Sequence, residues 1–174
     1  MKNFNCMKKL LAVLIIFCLF GCKSSMEQQT LSKTSVNATL DAWHKAASQA
    51  NYNDYFSLMT DDAVFIGTDA SENWNKTAFQ VYAKPHFDKG KAWSFTVLER
   101  HVFFDKTGKT AWFDELLDTQ MKICRGSGVL VKIGNQWKIQ HYVLSMTIPN
   151  ENSNEVIKVK ASLEEAMIKT LKSK

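Results

Sequence analysis

Asp114 and Glu115 stand side by side in a run of large apolar residues, Ala111-Trp112-Phe113-Asp114-Glu115-Leu116-Leu117, and Arg125 lies alone in the run that follows. Charges inside strongly apolar strands are costly unless they pair, bind something or reach water, so this stretch marks where a site is to be sought. Neighbours on a strand point to opposite faces, and only one of the two acids can enter a pocket. Trp112 shares a face with Asp114, whereas Phe113 and Leu117 share theirs with Glu115. An acid in an apolar cavity has a raised pKa and can move a proton at neutral pH, which is the chemistry of a general acid or base. The competing reading is structural, with Arg125 on the adjacent strand neutralising one acid.

Glu99-Arg100-His101 is a second polar interruption in an aromatic strand, and His141 falls on the parity of Trp137, Ile139 and Val143 in the last strand. A histidine opposite an acid can serve as general base or orient a ligand carbonyl; a lone core histidine more commonly donates to a backbone carbonyl. His44 lies on the first helix, and His86, after Pro85, is placed for a pocket mouth. The four histidines show neither His-x-x-x-His nor Glu-x-x-His spacing, so no metal is expected. Ser127 lies inside a strand between Gly126 and Gly128, without the strand-turn-helix context of a nucleophile elbow. Those glycines fit sheet curvature or close packing against an aromatic. The five tryptophans, Trp43, Trp74, Trp93, Trp112 and Trp137, supply either a packed core or the walls of an apolar ligand site.

The elements that must position these groups follow from periodicity. Val36, Leu40, Trp43 and Ala47 form one stripe of an amphipathic helix, Tyr55–Met59 a second helical turn, and Ala63–Ile66 a short strand. A helix over Lys76–Phe87 is predicted, capped by Asn75 and bent or ended by Pro85. After Gly90 the chain becomes strand, over Trp93–Phe104, Thr110–Met121, Lys122–Ile133 and Gln136–Thr147. Tight turns containing Gly108 and Gly134 make this an antiparallel meander expected to curl over the third helix and leave a hollow. Helices first and sheet last define an α+β class. Asn152–Leu171 returns to helical period, with Val156, Val159, Leu163 and Met167 on one face and Asn152/Glu155 spaced as a capping box. That face is expected to dock on its own domain or on a second copy.

At the other end, Lys2, Lys8 and Lys9 precede the apolar run Leu10–Phe20, the layout of a signal peptide over residues 1–21. The run is about half of the ~20 residues a spanning helix needs. Leu19-Phe20-Gly21-Cys22 resembles the lipobox of bacterial lipoproteins, which implies lipidation at Cys22 and an exported, membrane-anchored domain of the cell envelope. Residues 22–35 then read as a flexible tether. Cys6 and Cys18 leave with the signal, so Cys124 is the sole thiol of the folded part, and neither an intrachain disulfide nor a cysteine zinc site is available. Losing three lysines lowers the formal charge from +5 to +2, and residues 36–150 carry 12 basic and 12 acidic side chains. That balance excludes a nucleic-acid footprint.

The chain resembles the SnoaL-like branch of the nuclear-transport-factor-2-like superfamily. The residues that carry the resemblance are Asp62–Asp69, Trp74, Tyr82–Phe87, Gly90–Trp93, Glu99–His101, Ala111–Glu115, Arg125–Val129 and Trp137–Ile139, in order across residues 36–150. The resemblance implies a cone in which a strongly curved antiparallel sheet wraps a long helix around a pocket, often as a homodimer through the sheet. It covers neither the tether nor the helix of residues 151–174, and such folds host many functions. The sequence therefore points to a domain binding a small, mostly apolar ligand without a cofactor, with Trp74, Trp112, Asp114, Glu115, Arg125, His101 and His141 as pocket candidates. An acid-base enzyme (cyclase, isomerase or dehydratase) and a dimeric interaction module are the alternatives.

Overall fold

A computed structural model describes residue 30 and residues 32–173. The signal segment, Cys22 and most of the tether lie outside the described residues. Helix α1 includes residues 32–48, starting ahead of the stripe that predicts it, and buries Val36, Leu40, Trp43 and Ala47 to 1% exposure or less. Helix α2 is Tyr52–Ser57, opened by Asn51, whose side chain accepts from the Asp54 N–H. Strand β1 is Met59–Ile66 and β2 Asn73–Asn75, the latter too short to show any alternation in sequence. Helix α3, Lys76–Asp88, starts where Asn75 Oδ1 accepts from the Ala78 N–H at 2.9 Å. Pro85 does not end α3; it lies in the last turn, and the helix runs on to Asp88.

Strands β3 (Thr96–Phe104), β4 (Thr110–Thr119), β5 (Lys122–Ile133) and β6 (Gln136–Met146) form the expected meander. Gly108 (φ 66°) and Gly134 (φ 59°) occupy the left-handed turn positions that glycine takes at little cost. The sheet has six strands in the order β2-β1-β6-β5-β4-β3. It is not antiparallel throughout, because β1 runs parallel to β6. The inner face of β3–β6 meets α1, not the third helix as expected; α3 packs instead on β1, β2 and α2.

Two β-bulges decide which side chains enter. The β3–β4 register shifts between Val97 and Glu99, and the β5–β6 register shifts between Val129 and Leu130, opposite Gln140. One extra residue turns every later side chain to the other face. Arg100 and Val102 therefore point inward while Glu99, His101 and Phe103 point out; in β6, Tyr142 and Leu144 point inward while His141 and Val143 point out.

The C-terminal helix α4, Ser153–Lys172, has no buried residue, with Val159 81% and Leu163 78% exposed. Docking of this face on its own domain is thus not observed. Nor does the capping box form, since Asn152 makes no side-chain cap. The helix entry is a 3-10 turn, Asn150–Asn152, that holds Asn152 in a helical rather than extended conformation.

Candidate functional site

Glu115 is the acid that points inward. Its side chain is fully buried, and Arg100, directly opposite on β3, donates Nε–H to its Oε2 at 2.8 Å. From α1, His44 Nε2 lies 2.8 Å from Oε1, and Tyr142 donates its hydroxyl to the same oxygen at 3.3 Å. Arg100 reaches on with Nη1 to Asp41 Oδ1 at 2.7 Å and to the Asn37 carbonyl at 3.4 Å. Asn37, Asp41 and His44 recur at i, i+4 and i+7, a polar stripe running beside the apolar stripe of α1. Burial pushes the Glu115 carboxyl up, but the bond and charge of His44 and the charge and bond of Arg100 outweigh it and hold its pKa below the usual value. A carboxylate so held is a poor proton carrier at neutral pH. The partner foreseen for a buried acid was Arg125; the structure puts Arg100 in that place.

Gly126 makes the arrangement possible. It is the cross-strand partner of Glu115, and a Cβ there would overlap the Tyr142 hydroxyl and come within 2.9 Å of Glu115 Oε1. Gly128 likewise leaves room for the Phe113 ring and the His141 carbonyl.

Five of the seven candidate residues lie on the outer face of the sheet, away from any hollow. Asp114 takes the face opposite Glu115 and accepts from His101 at 3.1 Å, an ion pair about half exposed on both sides. Hydrogen bonding to Asp114, with the charges of Asp114 and Glu99, raises the His101 pKa against the opposing effect of burial. Trp112, 46% exposed, stacks on Phe103 at 5.9 Å. Arg125, opposite Leu116 on the same face, is exposed and makes no ion pair among the described residues. His141 was carried outward by the bulge in β6.

Trp74, the remaining candidate, lines a cavity. This cavity, of about 180 Å³, opens between the β1–β2 loop, α3 and the residues before β3. Its walls include Phe65, Trp74, Phe79, Tyr82, Trp93 and Phe95. Several of the rings are nearly parallel: Tyr82 on Trp74 at 4.5 Å, Trp74 with Phe79 at 5.7 Å and Phe79 on Phe65 at 4.0 Å, all within 23°. Phe79 and Tyr82 share a face of α3 by i, i+3 spacing, and Trp74 is the cross-strand partner of Phe65. Glu72, from the loop, is the one carboxylate in the lining. It was missed because a lone acid in a polar loop carries no local signal; what marks it is that it shares the cavity lining with the rings.

This order of helices and a curved, mixed sheet is the nuclear-transport-factor-2-like architecture. A solved protein of that kind and of unknown function from Pseudomonas putida KT2440 superposes with a TM-score of 0.59 at 16% identity, covering 71% of this chain and 92% of that one. A protein from Novosphingobium aromaticivorans, provisionally named a scytalone dehydratase, gives 0.61 at 10% identity over 71% and 89%. A domain of unknown function with a cystatin-like fold from Nostoc punctiforme gives 0.60 at 13% identity over 83% and 99%. No curated protein matches the sequence. Residues 36–149 match the model of the SnoaL-like domain, and the chain belongs to that family.

If Glu115 is structural, removing its charge strands Arg100 and His44 in the core. Glu115→Gln is expected to cost about 3–5 kcal/mol in urea unfolding, as for other broken buried pairs. Because the folded pKa is depressed, the carboxylate's contribution is present in full above the ordinary value of 4.5 and is lost as pH falls through the folded value. The gap between wild type and E115Q should therefore narrow on acidification; a gap independent of pH contradicts the assignment.

Proposed function

We propose that this domain binds a small, mostly apolar ligand in the aromatic cavity beside Trp74. The observation that carries the reading is six aromatic side chains around one open hollow, while the buried charges of the fold are occupied with one another. A volume of about 180 Å³ is below the range of roughly 300–1,000 Å³ usual for drug-sized ligands, which suits a small molecule. The dehydratase name of one structural neighbour belongs to that protein. An acid-base enzyme draws support here only from the 2.8 Å contact of His44 with Glu115, beside a shallow groove that His44 lines. The depressed Glu115 pKa and the engagement of both carboxylate oxygens weigh against it. Trp74 and Trp93 line the cavity, so ligand entry is expected to quench tryptophan fluorescence. Trp74→Ala should weaken binding about tenfold while Trp112→Ala leaves it unchanged. Native mass spectra of host-expressed protein that remain empty, with no quenching by any small aromatic compound, would overturn the binding reading.

The domain is proposed to act outside the cytoplasm, held to a membrane by lipid on Cys22. Cys22→Ser is expected to move it from the membrane fraction to the soluble fraction, and an unchanged distribution contradicts the anchor.

A homodimer through the outer sheet face is also proposed. Phe103 and Trp112, each 46% exposed, form its apolar centre. Trp112→Glu should sediment as a monomer at concentrations where the wild type is a dimer; a monomeric wild type removes the proposal.

A further inference from the structure

The cavity has one charge. No lysine, arginine or histidine lines it, and Glu72 supplies the single carboxylate among six aromatic rings. Glu72 forms no ion pair among the described residues. The lysines of α3 are taken elsewhere: Lys76 bonds the Met59 carbonyl at 3.1 Å and Asp61 at 3.0 Å, and Lys84 pairs with Asp88.

The carboxylate is also held in place. Its Oε2 accepts from the Asp69 N–H at 3.1 Å, and the Glu72 carbonyl accepts from the Gly67 N–H at 2.9 Å. Glu72 lies against Gly67 so closely that a Cβ there would overlap Oε2 and stand 3.0 Å from Cδ. Gly67 thus acts as a positioning residue, since any side chain at 67 would displace the acid. Burial, and after it the charge of Glu72, raise the pKa of Tyr82, in keeping with a negative potential at this wall.

Aromatic faces carry negative quadrupole density and attract a cation within about 6 Å of the ring centroid. A fixed carboxylate beside such rings favours positive charge, whereas an anionic ligand would meet repulsion and a neutral one would cover the Glu72 charge without neutralising it. We infer that the cavity selects a small organic cation, a quaternary or tertiary ammonium group on an apolar body, with Glu72 as counter-ion and the partly exposed rings of Trp74 and Tyr82 as the wall it meets. This rests on the ligand-binding reading above and names the class of ligand.

The test compares three probes of similar size on the wild-type protein, read by tryptophan quenching: benzyltrimethylammonium, its uncharged isostere neopentylbenzene, and phenylacetate. The cation is expected to bind at least about tenfold more tightly than the isostere, with the anion weakest. Glu72→Gln should abolish that preference while leaving neopentylbenzene affinity within about twofold, and Gly67→Ala should reduce the preference by displacing the acid. Equal affinity for cation and isostere, or a preference for phenylacetate, overturns the cation inference and leaves the binding reading standing. Failure of all three probes to bind at millimolar concentration overturns both. The wild-type comparison decides the matter even if a variant does not fold.

Discussion

The Glu115 carboxylate is the constraint around which the rest of the fold is arranged. A full charge inside an aromatic cone is tolerable only when its oxygens are satisfied, and here three elements converge to do so: α1 with His44, β3 with Arg100 and β6 with Tyr142. The cluster thereby ties the first helix to strands 71 residues away in sequence through His44 and Glu115 and 59 residues away through Asp41 and Arg100, contacts that fix how the sheet sits on the helix. It stabilises one arrangement rather than adding greatly to stability, because desolvating three ionisable groups offsets much of their attraction. Gly126 is part of the same device, since only a residue without a Cβ leaves space for the hydroxyl and carboxylate to meet.

Much of this was legible in the sequence. The stripe Val36, Leu40, Trp43, Ala47 marked the buried face of α1, Asn75 marked the start of α3, and the glycine turns marked the meander. The fact that Glu115 shares the face of Phe113 and Leu117 was also plain from alternation. Alternation failed at the bulges. Counting by twos through Leu98 places His101 with Trp93 and Phe95, yet the extra residue sends His101 out and Arg100 in. The same count through Gln140 places His141 with Ile139, and the bulge reverses it. A bulge depends on how two strands register, which neither strand encodes alone. The partner of the buried acid was therefore misread as Arg125, and the polar stripe Asn37, Asp41, His44 was not singled out.

The division of labour that results is spatial. Charge is concentrated under α1, where it is consumed by structure; aromatic surface is concentrated under the β1–β2 loop, where it is open. The outer sheet face, with its half-exposed His101–Asp114 pair and the Phe103–Trp112 stack, belongs to neither compartment.

Under the proposed function, small molecules meet this protein at the aromatic end and not at the acidic strand. The five indole N–H signals of Trp43, Trp74, Trp93, Trp112 and Trp137 report on it in a single nitrogen-proton correlation spectrum. On adding benzyltrimethylammonium, the Trp74 and Trp93 signals should move together while Trp112 and Trp137 stay fixed. Movement of Trp112, with Trp74 unmoved, would put the site on the outer face and contradict the account.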